Sequence, residues 1–365
     1  MRYEQQIRQY LIATRSYWDR PETRPAVRQN FDKVIRCRTS ALGAEVFASD
    51  TEEKLVLHTC KARPCPSCGH RATLQWQREQ WCALPDIPYA GIVFTMPDVL
   101  WPIFRQNRHL LHDLPKLGAA VIQQWVKLKY GIRVLIMVIP HTFNGRLHFN
   151  SHLHILVSAA GLQESEARWI TPLDFNKEKL MHMWRLAVVT FLRQALRAKV
   201  LASDLSAKEL RIVLTTQYQR WWSIDVDQFE SKKHFLGYAG RYVRRPPIAQ
   251  YRFSKITDQE VQFWTEDKIQ KRRVNISYTP DKFVQRLSEH VPDRYRHAIR
   301  YFGLLAPGSK ARTSAALFAL LRQPKRPSPR RLSWAFLLRR DFGVNPLTDR
   351  RGQPMRWIGR LSPRV

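Results

Sequence analysis

The sequence predicts an α+β fold: an antiparallel sheet with helices on one face, preceded by a small cysteine-rich module. Three observations carry this. Between Tyr89 and Val226 the patterns run strand, helix, two strands, helix, strand, which is not the strict alternation of a parallel sheet. Asn144-Gly145 separates two apolar runs, the signal of a tight antiparallel hairpin. Four of the five cysteines fall between Cys37 and Cys68, two of them as Cys65-Pro-Ser-Cys68.

At 365 residues there is room for two or three domains. A hydrophobic content of 44% supports a packed core and excludes a disordered chain. Lys plus Arg number 61 against 30 Asp plus Glu, a formal charge of +31. That excess implies a polyanionic partner, with nucleic acid ahead of a membrane surface. No apolar run approaches the ~20 residues needed to span a bilayer. Met1-Arg-Tyr-Glu-Gln-Gln carries no apolar signal core. An odd number of cysteines with a tight Cys-x-x-Cys fits a reducing compartment and a metal site better than disulfides. The composition points to a cytoplasmic protein bound to nucleic acid, with no membrane partner.

Taken in order, residues 1–36 read as a basic N-terminal helical arm with a patchy apolar stripe, broken by Pro21 and Pro25. Residues 37–86 form the cysteine module. Cys60-Lys-Ala-Arg-Pro-Cys65-Pro-Ser-Cys68-Gly69 is a compact knuckle, and Cys-x-x-Cys followed by Gly is zinc-turn chemistry: two thiolates from one loop, with Gly69 permitting the turn. Zinc needs four ligands. Cys60 supplies a third and Cys37 is the nearest thiol upstream, with His58, His70 and Cys82 as substitutes for the fourth place. A helix over Arg71–Cys82 follows. The main domain, 87–305, then holds a strand at Tyr89–Thr95, a long helix at Ile103–Tyr130, a strand at Ile132–Ile139 and the hairpin turn. A helix at Lys177–Lys199 and a strand at Arg220–Val226 complete it.

The second arm of that hairpin, His148-Phe-Asn-Ser-His-Leu-His-Ile-Leu-Val157, carries the first chemistry. Strand side chains alternate between faces, so His148, Asn150, His152 and His154 share one face. Phe149, Leu153, Ile155 and Val157 take the other. Two imidazoles two residues apart on a stiff strand aim in parallel, an arrangement that binds divalent metals. The histidine face is expected to lie open to a substrate.

Residues Ser231 to Arg245 carry the second. On a helix ended by Pro246-Pro247, Phe235, Ala239 and Val243 form the buried stripe. His234, Tyr238 and Tyr242 also step by four, off the buried side, with Arg241 and Arg245 adjoining. Near arginine and a divalent cation a phenolate is favoured. It can attack phosphorus and keep the product as a phosphotyrosine. Alone, Tyr-x-x-x-Tyr carries little; beside a metal-binding histidine strand it completes a strand-cleaving set.

These pieces resemble the HUH endonucleases, named for His-hydrophobe-His, and more narrowly the two-tyrosine rolling-circle transposases of bacterial insertion sequences, the IS91 type. Cys37-Arg-Thr, the knuckle at Thr59 to Cys68, Leu84-Pro, Val93-Phe-Thr-Met-Pro97, His152-Leu-His154 and Tyr238-Ala-Gly-Arg-Tyr242 come in the family's order. Arg244-Arg-Pro-Pro-Ile248, Phe283-Val-Gln-Arg-Leu, Glu289-His-Val-Pro and Arg300-Tyr-Phe-Gly-Leu-Leu305 continue it. The resemblance implies an HUH palm fold in which His152 and His154 hold Mg²⁺ or Mn²⁺ and Tyr238 and Tyr242 are the nucleophiles. Arg241, Arg244 and Arg245 would contact nucleic acid. Cys37, Cys60, Cys65 and Cys68 would hold Zn²⁺ in a DNA-reading module. The implied reaction is cleavage and rejoining of single-stranded element ends and target DNA through 5′-phosphotyrosine, in a nucleoid-associated bacterial protein for which a homodimer is an admissible assembly. The third metal ligand stays open among His148, Asn150 and His234. Two departures stand out: Val46-Phe-Ala-Ser-Asp-Thr51 and Thr348-Asp-Arg-Arg351 lie where relatives often carry further cysteine pairs.

Residues 306–365 read as a basic tail with two acids, Asp341 and Asp349, and a Pro-rich stretch from Arg322 to Arg331. It is expected to track DNA phosphates. Two other functions use the same residues: a replication-initiator or relaxase-type nickase, and a catalytically decayed zinc DNA-binding protein.

Overall fold

The computed structural model describes residues 2–65, 68–163, 167–267, 270–294 and 296–363, with the backbone alone for 2–6 and 342. Met1 and the knuckle residues Pro66 and Ser67 therefore lie outside the described residues.

Helices α1 (Arg2–Ala13), α2 (Arg15–Trp18) and α3 (Pro25–Ile35) open the chain. Pro25 starts α3 at a position whose N–H needs no intrahelical partner. The cysteine module adds strands β1 (Ala44–Ala48) and β2 (Glu53–Leu57) and helix α4 (Gly69–Ala83). Then come β3 (Tyr89–Phe94), α5 (Trp101–Gln106) and α6 (Leu114–Tyr130). The predicted long helix at 103–130 is thus two, interrupted at Asn107, whose side chain donates to the carbonyls of Ile103 and Ala202. The hairpin strands are β4 (Leu135–Phe143) and β5 (Phe149–Ser158), followed by a small hairpin, β6 (Gly161–Gln163) and β7 (Arg168–Ile170). Next are α7 (Lys177–Arg197), α8 (Ala207–Thr216), β8 (Ile224–Phe229) and α9 (Lys232–Gly240). Strands β9 (Phe253–Ile256), β10 (Val261–Asp267) and β11 (Arg272–Tyr278) precede α10 (Pro280–Glu289) and β12 (Arg300–Gly303). The chain continues through α11 (Pro307–Leu320), α12 (Trp334–Phe342) and β13 (Arg356–Leu361). Among the described residues, no helix is long and apolar enough to cross a membrane.

The main sheet has the order β12-β4-β5-β3-β8, and every neighbouring pair is antiparallel. One face buries Ile92, Phe94, Ile136, Val138, Leu153, Ile155 and Val157 against α6 and α7. The second face is not open, as the sequence reading had it. Tyr89, Leu135, Met137, Ile139 and Leu156 on that face pack with Trp76 of α4, Phe235 and Tyr238 of α9 and Leu317 of α11. The strands are apolar on both sides, so both sides attract helices.

A second core joins the N-terminal arm, the cysteine module and the β9–β11 sheet: Leu11, Trp18 and Phe31 pack with Cys37, Cys65, Phe263 and Phe283. Residues 306–365 do not trail away. They supply α11 and α12, and β13 pairs antiparallel with β1, Ala44 opposite Leu361, to give a sheet β13-β1-β2.

Candidate active site and cysteine cluster

Alternation along β5 turns Phe149, Leu153, Ile155 and Val157 into the core and leaves His152 and His154 on the opposite face. The hairpin register sets His141 of β4 directly opposite His152. Ligand nitrogens of His141, His152 and His154 lie within 4.8 Å of one another. His141 is thus a third imidazole of the cluster, one the sequence reading did not name beside His148, Asn150 and His234. His148 precedes the strand and His234 is exposed on α9. The backbone carbonyl of Asn150 accepts from His152 Nδ1 at 2.8 Å. The Tyr242 carbonyl accepts from His141 Nε2 at 3.0 Å. A carbonyl can only accept, so each of those nitrogens carries the proton. Nδ1 of His141 and Nε2 of His152 then keep their lone pairs for a cation. Burial, and then the neighbouring His152, hold the His141 pKa well below its ordinary value. A buried neutral imidazole is the form a metal takes.

The tyrosines sit against this cluster. Helix α9 stops at Gly240, short of the expected end at Arg245, and Tyr242 lies in the turn beyond it. Arg244 closes the turn in the left-handed region, φ 58°. The Tyr242 ring stacks on His154 with centroids 3.7 Å apart and planes at 23°. The Tyr238 ring is 5.0 Å from that of Tyr242. Tyr238 was expected beside the buried stripe but belongs to it, at 6% exposure. Gly91 of β3 makes the room: a Cβ there would stand 2.6 Å from Tyr238 Cε1. Burial raises the Tyr238 phenol, followed by the effect of Tyr242, and outweighs Arg241. The phenolate expected next to arginine is not favoured at Tyr238. Arg241 lies over both rings, 4.8 Å from Tyr238 and 5.8 Å from Tyr242. Arg241, Arg244 and Arg245 are all exposed.

The four predicted sulfurs converge. Cys37 to Cys68 is 3.5 Å, Cys60 to Cys68 3.7 Å and Cys65 to Cys37 3.9 Å. A tetrahedral zinc with bonds of about 2.3 Å sets its sulfurs about 3.8 Å apart, so this set fits Zn²⁺. The Cys68 thiol is held down by hydrogen bonds with Cys37, Cys60 and Cys65. The Cys65 thiol is pushed up by Cys37, Cys60 and Cys68. The substitutes lie elsewhere: His58 bonds the Leu42 carbonyl and Glu45, and His70 bonds Asp341. Gly69 serves close approach rather than the turn, because a Cβ there would stand 2.6 Å from the Arg244 carbonyl oxygen. The knuckle is thereby docked on the tyrosine turn. The two segments that depart from the family's cysteine pattern also meet. Asp349 accepts from Ser49 at 2.8 Å, Thr51 at 2.9 Å and the backbone of Gln353 at 2.8 Å. A carboxylate clasp, rather than a charged tail, ties residues 349–353 to the β1–β2 turn.

Residues 135–313 match the family described as "Putative transposase", and residues 9–96 match the IS91 "Transposase zinc-binding domain". The chain is 33% identical over 285 residues to "Transposase for insertion sequence element IS801" of Pseudomonas savastanoi pv. phaseolicola, across 75% of this chain and 69% of that one. It is 27% identical over 296 residues to "Putative transposase y4qJ" of Sinorhizobium fredii, across 77% of this chain and 74% of that one. No solved structure matches. With its zinc-binding segment, its four-cysteine cluster and these relatives, the chain belongs to the IS91-type family of insertion-sequence transposases, enzymes that cleave DNA.

Proposed function

We propose that this transposase opens and rejoins single-stranded DNA at its element's ends through 5′-phosphotyrosine, with Tyr242 acting first and Tyr238 second. The observation that carries the reading is the Tyr242 ring stacked on His154, inside a group of three imidazoles. Tyr242 is half-buried and next to the cluster, whereas Tyr238 is sealed on Gly91 and kept protonated by burial. The Tyr242 phenol loses its proton as its oxygen attacks phosphorus. The bond to the 3′ oxygen breaks, that oxygen takes a proton, and the 5′ phosphate stays esterified to the ring. The bond energy is kept, so a 3′ hydroxyl can reverse the step.

His141, His152 and His154 would hold a divalent cation. When bound, it would polarise the scissile phosphate. Three imidazoles without a carboxylate favour Mn²⁺ over Mg²⁺, which prefers oxygen ligands. Residues 37–86 serve as the zinc-stabilised DNA reader, and 87–305 as the nuclease domain. Each chain carries both tyrosines, and a homodimer would serve to bring two element ends together. A net charge of +31 suits a cytoplasmic protein resident on the nucleoid.

The test incubates the zinc-loaded full chain with Mn²⁺ and a single strand spanning the element's end, then resolves covalent protein–DNA product on a denaturing gel. Product should vanish in Tyr238→Phe/Tyr242→Phe and in His152→Ala/His154→Ala. It should also vanish in Tyr242→Phe alone, and persist for the first cleavage in Tyr238→Phe. Undiminished product in either double variant would refute the mechanism.

A further inference from the structure

A narrow cleft opens beside the histidine cluster, lined among others by Arg63, Arg108, Arg245, Arg296, Arg300 and His141. Its charge is poorly compensated. Asp293 pairs with Arg108 at 3.4 Å and Arg296 at 3.7 Å, and also with Arg24. Arg300 donates to the His112 carbonyl at 2.8 Å and lies over Phe302. Arg63 and Arg245 have neither hydrogen bond nor ion pair among the described residues. Arg63 is half-buried among charges of its own sign with no counter-charge, which is costly unless an anion enters, while Arg245 is exposed to an incoming ligand.

The two uncompensated arginines come from different parts of the chain and are held in place. Arg63 lies within the knuckle, between Cys60 and Cys65, whose sulfurs fix the loop. Arg245 follows the left-handed Arg244, whose carbonyl presses on Gly69. The contact that docks the knuckle therefore also brings the two arginine-bearing segments to one cleft. His141 belongs to both the cleft and the histidine cluster, so an anion in the cleft is an immediate neighbour of whatever occupies the cluster.

We infer that this cleft is a phosphodiester clamp in which Arg63, from the cysteine knuckle, and Arg245, from the turn after Tyr242, together grip a DNA backbone phosphate adjacent to the one cleaved. The zinc module is then a wall of the active site as well as a DNA reader. Guanidinium forks bind phosphate oxygens in pairs, which fixes orientation as well as charge. The identity of the neighbouring phosphate as the cleaved one rests on the proposed function; the binding claim does not.

The experiment measures binding of a single strand spanning the element's end by fluorescence anisotropy, with one neutral methylphosphonate moved along the strand. The protein is the zinc-loaded full chain carrying Tyr238→Phe and Tyr242→Phe, without divalent metal added. Nothing is cleaved, so a failure of the phosphotyrosine chemistry leaves the result readable. Arg63→Ala should weaken binding about tenfold, and Arg63→Lys by less, since lysine keeps charge but loses the fork. At one position of the strand, the methylphosphonate should weaken the parent about tenfold and Arg63→Ala not at all. Arg245→Ala should show the same coupling at the same position. Zinc content checks that the knuckle stays intact in the Arg63 variants, and Arg245→Ala carries the test from outside the knuckle. Losses equal at every position, or no loss in either variant, would overturn the clamp.

Discussion

Replacing Gly91 by alanine tests the seating of Tyr238. The added Cβ would stand 2.6 Å from Cε1, 3.0 Å from Cζ and 3.2 Å from the hydroxyl of Tyr238. Carbon atoms in contact settle at about 3.5–4.0 Å, so the ring must move by about 1 Å. Phe229 and Tyr242, each with its centroid 5.0 Å from that of Tyr238, hem in that movement. Overpacking of this kind costs about 1–3 kcal/mol. The opposing effect is smaller and of known sign. Gly91 does not have a positive φ, so alanine there should otherwise stabilise by roughly 0.4–1 kcal/mol through the unfolded chain. Gly91→Ala should therefore lower the denaturation midpoint. Gly91→Ala combined with Tyr238→Ala should be less destabilised than the sum of the two single changes. Equilibrium unfolding in urea provides the readout. A Gly91→Ala protein at least as stable as the parent, with strictly additive behaviour in the double variant, would refute the packing of the ring on the strand.

Three further outcomes follow from the same geometry. Removing zinc with a chelator, or substituting Cys37→Ser, should lower stability by about 3 kcal/mol relative to protein held at a hundredfold excess over its dissociation constant; an unchanged thermal midpoint would mean that the sulfurs hold no ion. His141→Ala should remove most of the Mn²⁺ affinity seen by electron paramagnetic resonance, and the parent should prefer Mn²⁺ to Mg²⁺; equal affinity in parent and variant would exclude His141 as a ligand. His290 is buried, donates from Nε2 to the Leu147 carbonyl at 3.0 Å, and has its pKa lowered to about 4 by burial, with Arg108, Arg286 and Arg24 adding to the effect. The folded state resists its protonation while the unfolded chain takes up a proton near pH 6.5. Its contribution is thus complete above pH 6.5 and is lost as pH falls towards 4, by up to about 3 kcal/mol. His290→Gln should flatten that part of the stability–pH curve, and an unaltered slope would count against the assignment.

Much of the candidate site was legible because it depends on local spacing. The two-residue step from His152 to His154, the four-residue step from Tyr238 to Tyr242 and the Asn144-Gly145 turn each fix geometry over a few residues. His141 was hidden by Pro140, since proline inside a run reads as the end of a strand. It is tolerated because β12 pairs with β4 only as far as Val138, so beyond that point β4 is an edge strand and the missing N–H faces no partner. Extending the predicted hairpin two residues past Ile139 would have brought His141 opposite His152. The covered second face had a signal too: Leu135 to Ile139 is apolar without alternation, as in a strand buried on both sides. The pairing of Ala44 with Leu361 and the clasp at Asp349 had none, because contacts across that much chain leave no local pattern.

Mass spectrometry of the peptide that retains DNA after digestion of the Mn²⁺-dependent product addresses the central claim most directly. The account predicts that the first cleavage leaves the nucleotide on Tyr242, with transfer to Tyr238 only when a second strand is supplied. DNA found on any residue other than these two tyrosines, or a cleaved strand with a free 5′ phosphate and no linked peptide, would contradict it.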